Sequence, residues 1–203
     1  MRTLETLSLI IGYIGTAVGI IAYQIKSRKV LLIFQIIGNF LPALSFVLLG
    51  MDKLVGGLVG FVAAVHTFIA YRAVSKGETP SNGISALFVG LYAVTSAIPA
   101  ILSRSATTLA LAVFPFLCGF FFVLALRAKS FPVARVFYWL GSVPWLFYDC
   151  LGEKVAVANL ITHTIALLSV TVGIVRYDIW PRIRKSSRAK TGGDGIDSKP
   201  LND

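Results

Sequence analysis

Charge is what this 203-residue sequence has least of. Asp, Glu, Lys and Arg together make up 14% of it, with nine acidic residues against nineteen basic ones. A soluble domain is usually about 25% charged and about 45–50% apolar. Here the apolar share is 56% and the mean hydropathy +0.80. A chain this small has too much surface for its volume to hide that area in one aqueous core. A soluble globular fold is excluded, and lipid must be the solvent for most of the molecule. Cysteine is nearly absent as well, with Cys118 in the middle of an apolar run and Cys150 near the end of another. Their depths differ by about 13 Å at 1.5 Å per residue, whereas a disulfide needs Cα atoms within about 7 Å, so both read as free thiols. The sequence has no glycine-rich phosphate loop, no His-Glu-x-x-His and no Cys-x-x-Cys. Nothing in it asks for a metal or a cofactor. A lysine inside the last apolar run is missing too, which excludes a retinal-type Schiff base there.

What is present is a series of apolar runs of bilayer length, about 17–25 residues each. They are Leu7–Ile25, Val30–Leu49, Leu54–Val74, Ile84–Leu102, Thr107–Leu126, Val133–Leu151 and Val155–Val175. Charges and turn formers separate them: Lys26 to Lys29, Asp52-Lys53, Lys76 to Gly83, Ser103 to Ser105, Arg127 to Pro132 and Glu153-Lys154. After Arg176 the chain turns polar and reads as a disordered basic tail over 177–203. The first run is not a cleaved signal peptide, because its positive cluster follows the apolar stretch.

Lys and Arg on alternating sides of seven spans give a topology. One side collects Lys26, Arg28, Lys29, Arg72, Lys76, Arg127, Lys129, Arg135 and Arg176, and then Arg182, Arg184, Lys185, Arg188, Lys190 and Lys199. The other holds Arg2, Lys53, Arg104 and Lys154. Fifteen against four predicts an N-terminus outside and a C-terminus in the cytoplasm. It also reads the +10 net charge as membrane topology and not as a nucleic-acid surface.

Two of the runs share a pattern. Lys26-Ser27 is followed by Gly38, Pro42 and Gly50, and Lys129-Ser130 by Gly141, Pro144 and Gly152. The Lys-to-Gly interval is twelve in both and the Pro-to-Gly interval eight in both. Two three-helix units of the same orientation cannot be joined directly, since three is odd, so one helix must invert the chain between them. The expected fold is all-α with seven transmembrane helices in a parallel 3+1+3 repeat. Residues 1–76 would form the first unit, 77–105 the linker helix and 106–176 the second unit.

The stretch Gly38 to Gly50, together with Trp145 to Gly152 and its run Trp-Leu-Phe-Tyr-Asp-Cys-Leu-Gly, resembles the bacterial inner-membrane proteins of the YgjV type over Ile11 to Arg176. More distantly, the layout resembles the SWEET and SemiSWEET sugar carriers of the PQ-loop (MtN3-like) group. The Pro-Gln dipeptide of that group is absent, and the first run has Gly12, Gly15 and Gly19 but no proline. The resemblance implies an asparagine on the last helix of each unit in contact with sugar. Asn159 matches, while Val55 to Gly60 offers no asparagine.

Polar side chains inside lipid-embedded helices are costly and usually face the protein interior. The sequence has two histidines, His66 and His163, in the third and seventh runs. Asn159 lies one turn before His163, and Gln35 and Asn39 share a face of the second run. Together with Trp145, these residues form the candidate substrate site, and Pro42 and Pro144 the candidate kinks. Amides and neutral imidazole both donate and accept hydrogen bonds, which suits a polyhydroxyl or amide-bearing solute. The same groups could equally bond helix to helix and hold the bundle together. The Gly15–Gly19 spacing would allow close helix contact, and Trp180 fits an interfacial anchor. Asp149, beside Glu153 and Lys154, reads as an interfacial charge.

Two functions follow. One is a multi-pass inner-membrane carrier or facilitator for a small polar, sugar-like solute, with the bilayer and that solute as partners and no nucleic acid. The other is a non-transporting scaffold or assembly protein. No enzymatic activity is expected, since a hydrolase would need a nucleophile and base within hydrogen-bond reach. Association with further copies is compatible with either function.

Overall fold

A computed structural model describes residues 2–48, 54–103, 106–151 and 157–184. Seven α-helices run through it: α1 (Arg2–Ala22), α2 (Arg28–Leu48), α3 (Leu54–Ser75), α4 (Asn82–Ser103), α5 (Ala106–Arg127), α6 (Phe131–Leu151) and α7 (Val157–Ile174). Among the described residues there is no strand. Each helix has 18 to 22 residues, about 27–33 Å at 1.5 Å per residue, which matches the hydrocarbon thickness. In lipid a helix satisfies its backbone hydrogen bonds within the segment, so apolar runs of this length fold no other way. Among the described residues, four stretches are long and apolar enough to cross a membrane by themselves: Arg28–Ser45, Gly57–Ser75, Ala110–Arg127 and Leu160–Arg184. Shorter apolar stretches lie at Thr6–Ala22 and Asn82–Ile98.

Helix ends follow local chemistry. The N–H groups of Leu31 and Ala134 bond the carbonyls of Ser27 and Ser130, so both Lys-Ser pairs of the repeated pattern open a helix, α2 and α6. At the end of α3, Glu78 N–H bonds Ala73 O and Gly77 N–H bonds Val74 O. Gly77 has φ +80°. That is a Schellman closure, and it needs a residue that tolerates the left-handed region. Ser81 then caps α4 by accepting the Ile84 N–H.

Two boundaries differ from the apolar runs. Helix α1 stops at Ala22 instead of Ile25, because Tyr23 and Gln24 fold into a turn on the carbonyls of Ile20 and Ile21. The last helix does not end near Arg176. Val175–Ile179 form a π-turn, closed by the Trp180 N–H on Val175 O, and residues 180–184 are helical beyond it. The front of the expected disordered tail is thus helix, held because Tyr177 and Asp178 bond α1 and α6. The rest of that tail, 185–203, lies outside the described residues. So do the expected turns at Gly50 to Lys53, Arg104-Ser105 and Gly152 to Lys154.

Packing follows chain order from α1 to α7, and α7 returns to α1, with a smaller contact between α3 and α5. Two ends can be told apart. The basic end carries the connections 23–27, 76–81 and 128–130. The opposite end carries the last turns of α2, α4 and α6 and the first turns of α3, α5 and α7. The main buried apolar cluster lies at the basic end, where Ala22, Leu31, Leu32 and Ala70 meet Leu126, Tyr138 and Val170. Toward the opposite end α1 and α2 pack on small residues. A Cβ on Gly38 would lie 2.7 Å from the Gly19 Cα, and one on Gly15 would lie 2.7 Å from the Leu41 Cβ and overlap the Pro42 ring. Ser8 and Ser45 exchange hydrogen bonds there, each hydroxyl donating to the other's carbonyl at 2.8 and 2.7 Å.

Gly38→Ala should therefore destabilise the protein by about 1–3 kcal/mol, since backbone faces backbone at that point and neither can yield. Gly90→Ala, with nothing within 4 Å of the added carbon, should be neutral or stabilising by up to about 1 kcal/mol from helix propensity. Thermal unfolding of the detergent-solubilised variants checks both.

Candidate functional site

His66 occupies the middle turns of α3, and its side chain is fully buried. Its ring lies parallel on Phe88 of α4, with centroids 4.1 Å apart and planes at 10°. Phe122 of α5 approaches edge-on at 6.1 Å and Tyr92 of α4 at 6.2 Å. Tyr92 reaches this place because α5 has no side chain opposite it. A Cβ on Gly119 would come within 2.7 Å of the Tyr92 Cβ and collide with the ring. Neither nitrogen of His66 has a hydrogen-bond partner, nor has the Tyr92 hydroxyl. Ser85 and Ser96, also buried on α4, are in the same position. In a low-dielectric interior each unpaired group costs about 1–3 kcal/mol, so an unpaired histidine beside an unpaired Tyr92 calls for an explanation.

An aromatic path leads from His66 toward the basic end. Phe122 packs on Tyr138 at 5.8 Å, and Tyr138 on Tyr23 at 5.8 Å. Gln35 is buried on α2, and its Oε1 has no hydrogen-bond partner. One turn along, the Asn39 amide donates to Thr67 Oγ1 at 3.4 Å, and Thr67 donates to Ala63 O at 2.7 Å. Asn39 thus ties α2 to α3 at the residue next to His66, and Gln35 lies one turn from Asn39 on α2.

Two other expected site residues meet each other. His163 stacks on Trp145 with centroids 5.1 Å apart and planes at 18°, and Tyr148 meets Trp145 edge-on at 5.7 Å. This second pair belongs to α6 and α7, whereas the ring neighbours of His66 sit on α4 and α5. Asn159 is in α7, with its side chain outside the described residues, and the same holds for the Asp149 side chain in α6. Pro42 and Pro144 both stand inside helices, Pro42 against Gly15. Cys118 is buried and Cys150 exposed, and neither forms a disulfide. Among the described residues no group of His, Cys, Asp and Glu could hold a metal ion.

Sequence reading missed a polar assembly at the basic end. Arg135, in the first turns of α6, is nearly fully buried and pairs with Asp178 of the π-turn at 2.8 Å. Its second terminal nitrogen donates to Ile25 O at 3.1 Å, and its guanidinium lies 4.0 Å over the Phe131 ring and 5.0 Å from that of Tyr177. The Tyr177 hydroxyl donates to Gln24 O at 2.8 Å. Gln24 donates to Ser169 O and Oγ, and Ser169 donates to Ile20 O. Arg28 reaches across to Leu126 O at 2.8 Å. No local motif marks such a set. Only an arginine within an apolar run, at Arg135, hinted at it.

Among the described residues the mid-bundle interior therefore offers hydrogen-bonding groups and aromatic faces without charge. Among the described residues the only ion pair is Arg135–Asp178, which neutralises itself. An ionic solute would find nothing there to offset its desolvation, whereas an uncharged one with several hydrogen-bonding groups would.

A ring of hydrocarbon-length helices with apolar side chains outward and an uncharged polar interior defines a polytopic helical membrane protein. The chain belongs to the Imp-YgjV family, bacterial inner membrane protein, which it matches over residues 6–179. The match runs from α1 through the π-turn. No curated protein and no solved structure matches the chain.

Proposed function

We propose that this inner-membrane protein is a non-enzymatic carrier or facilitator for a small, uncharged, polar solute of sugar-like chemistry. The observation that carries this is His66, buried in the middle of a hydrocarbon-length helix with both ring nitrogens unpaired beside an unpaired Tyr92 hydroxyl. A neutral imidazole donates at one nitrogen and accepts at the other, so a polyhydroxyl solute seated against it would satisfy what the fold leaves open. Phe88, Tyr92 and Phe122 supply flat apolar walls for the non-polar face of such a solute.

The helices divide as α1–α3 and α5–α7, two units of a parallel repeat with α4 as linker. Equivalent positions of the two units behave alike. Gly38 packs on α1 at Gly19, and Gly141 packs on α5 at Cys118 and Phe121. A histidine on the last helix of each unit lies flat on an aromatic ring of a neighbouring helix. By the distribution of cations the N-terminus is outside and the basic end cytoplasmic. Pro42 and Pro144 interrupt the same helix of each unit and provide the kinks about which the units rock.

One observation favours a non-transporting scaffold: Ser8–Ser45 and Gln24–Ser169 are satisfied bonds that hold helices together without any ligand. A thermal-shift screen of neutral polyols, sugars and amides on detergent-solubilised protein separates the two. A carrier should be stabilised by at least one solute, and the shift should vanish in Tyr92→Phe. No shift from any solute, or a shift that Tyr92→Phe and His66→Gln both retain, would remove the site assignment.

A further inference from the structure

We propose that an open cleft at the basic end holds the headgroup of a phospholipid whose phosphate ester carries a primary ammonium, a phosphoethanolamine. The cleft lies between the last turn of α3, the start of α2 and the turn joining α5 to α6. It measures about 690 Å³ and is lined by Arg28, Val74, Gly77, Glu78, Thr79 and Lys129. Small-ligand sites usually have about 300–1,000 Å³. The assignment uses none of the His66 site and stands apart from the carrier reading.

The local folding of the chain puts opposite charges around this space. Gly77, at φ +80°, ends α3 and leads Glu78 and Thr79 out of the helix to the cleft, while Pro80 behind them is buried. On the other wall Arg28 is fixed, its terminal nitrogens donating to Leu126 O at 2.8 Å and to Lys129 O at 3.3 Å. Carbonyls hold a guanidinium in place without neutralising it. The side chains of Glu78 and Lys129 form neither an ion pair nor a hydrogen bond with a described residue. Two cations and one carboxylate therefore border one space, and none of them neutralises another.

Those charges specify the occupant. A phosphodiester takes the Arg28 guanidinium and the Lys129 ammonium through charge-assisted hydrogen bonds, and the Thr79 hydroxyl can donate as well. The Glu78 carboxylate accepts from a primary ammonium. A choline headgroup has no N–H to give it, and a glycerol headgroup brings no cation to it. The depth of the cleft suits a lipid. Helix α2 starts at Arg28 and α3 ends at Ser75, so the cleft lies where two hydrocarbon-length helices leave the bilayer core, at the level of the headgroups. Val74, the last aliphatic residue of α3, gives it an apolar edge.

The test is native mass spectrometry of the full, delipidated chain. Phosphatidylethanolamine, phosphatidylglycerol and phosphatidylcholine of one acyl composition compete for it. The wild-type protein should retain phosphatidylethanolamine about fivefold over each of the others, the effect of one charge contact near a membrane surface. Glu78→Gln should abolish the preference over phosphatidylglycerol. Lys129→Ala should lower the retention of all three lipids about fivefold. Lys29→Ala, an exposed cation outside the lining, should change neither. All three side chains are exposed, so the variants should fold. No preference in the wild type, a preference for phosphatidylglycerol, or one that Glu78→Gln retains would overturn the assignment. Water-soluble glycerophosphoethanolamine binding as tightly as the lipid would overturn it too, since the occupant would then be a free solute.

Discussion

Arg135→Ala should cost this protein about 3–5 kcal/mol of stability, the largest loss from any single change at the basic end. Four contacts converge on that guanidinium: the Asp178 carboxylate, the Ile25 carbonyl and the Phe131 and Tyr177 rings. Truncation would remove all of them and strand a carboxylate with a tenth of its side-chain surface exposed. An uncompensated buried charge is what makes breaking such a pair expensive. Replacing the pair together with apolar residues of similar volume behaves differently. Arg135→Met with Asp178→Leu should be neutral or stabilising by up to about 4 kcal/mol, because the desolvation of both charges is removed at once. Unfolding in detergent, followed by tryptophan fluorescence, should rank the single variant lowest and the double variant at or above wild type. Equal losses for single and double variants would show that the side chains matter as packing volume and not as charges.

The second large effect separates folding from function. His66→Phe keeps a flat ring on Phe88 and removes two buried nitrogens that bond to nothing in the protein. The variant should fold and gain about 1–3 kcal/mol of stability, the penalty of buried groups left unsatisfied. It should also lose most of the solute-induced thermal stabilisation and uptake, because the Tyr92 hydroxyl is left to bond the solute without the two imidazole nitrogens. His66→Ala should lose both properties, since emptying a closed aromatic site leaves a cavity costing about 2–5 kcal/mol. If His66→Phe destabilised the protein and left solute uptake intact, the histidine would be a structural bond maker and the site would lie elsewhere.

Helix positions were legible from composition alone, because lipid imposes one rule on every segment. Expected runs such as Leu54–Val74 and Val133–Leu151 correspond to α3 and α6 within two residues at each end, with charges and turn formers marking the stops. The Gly15–Gly19 spacing correctly announced a close helix approach, here against Gly38 and Pro42. Where the reading fell short, the decisive contact joins residues far apart in the chain. Asp178 looked like part of a solvated basic tail, and only its partner 43 residues earlier keeps that segment helical. The same distance problem hid the environment of His66. Nothing near it in sequence says that Phe88, Tyr92 and Phe122 surround it, or that Gly119 is the hollow admitting Tyr92. Gathering Gln35, Asn39, His66, His163, Trp145 and Asn159 into one site assumed that polar residues at similar depth face each other. The structure bonds Asn39 to Thr67, next to His66 in the chain, and pairs Trp145 with His163.

Pulsed electron–electron distance measurements on spin-labelled protein in nanodiscs bear most directly on the proposed carrier. One label pair, at Lys26 and Lys129, spans the basic end. The other, at Leu58 and Ile161, spans the opposite end. A carrier whose two units rock should give a broad or divided distribution for at least one pair, and a solute that stabilises the protein should narrow it. A single narrow distance for both pairs, unmoved by any solute, would mean a rigid bundle and would contradict the account.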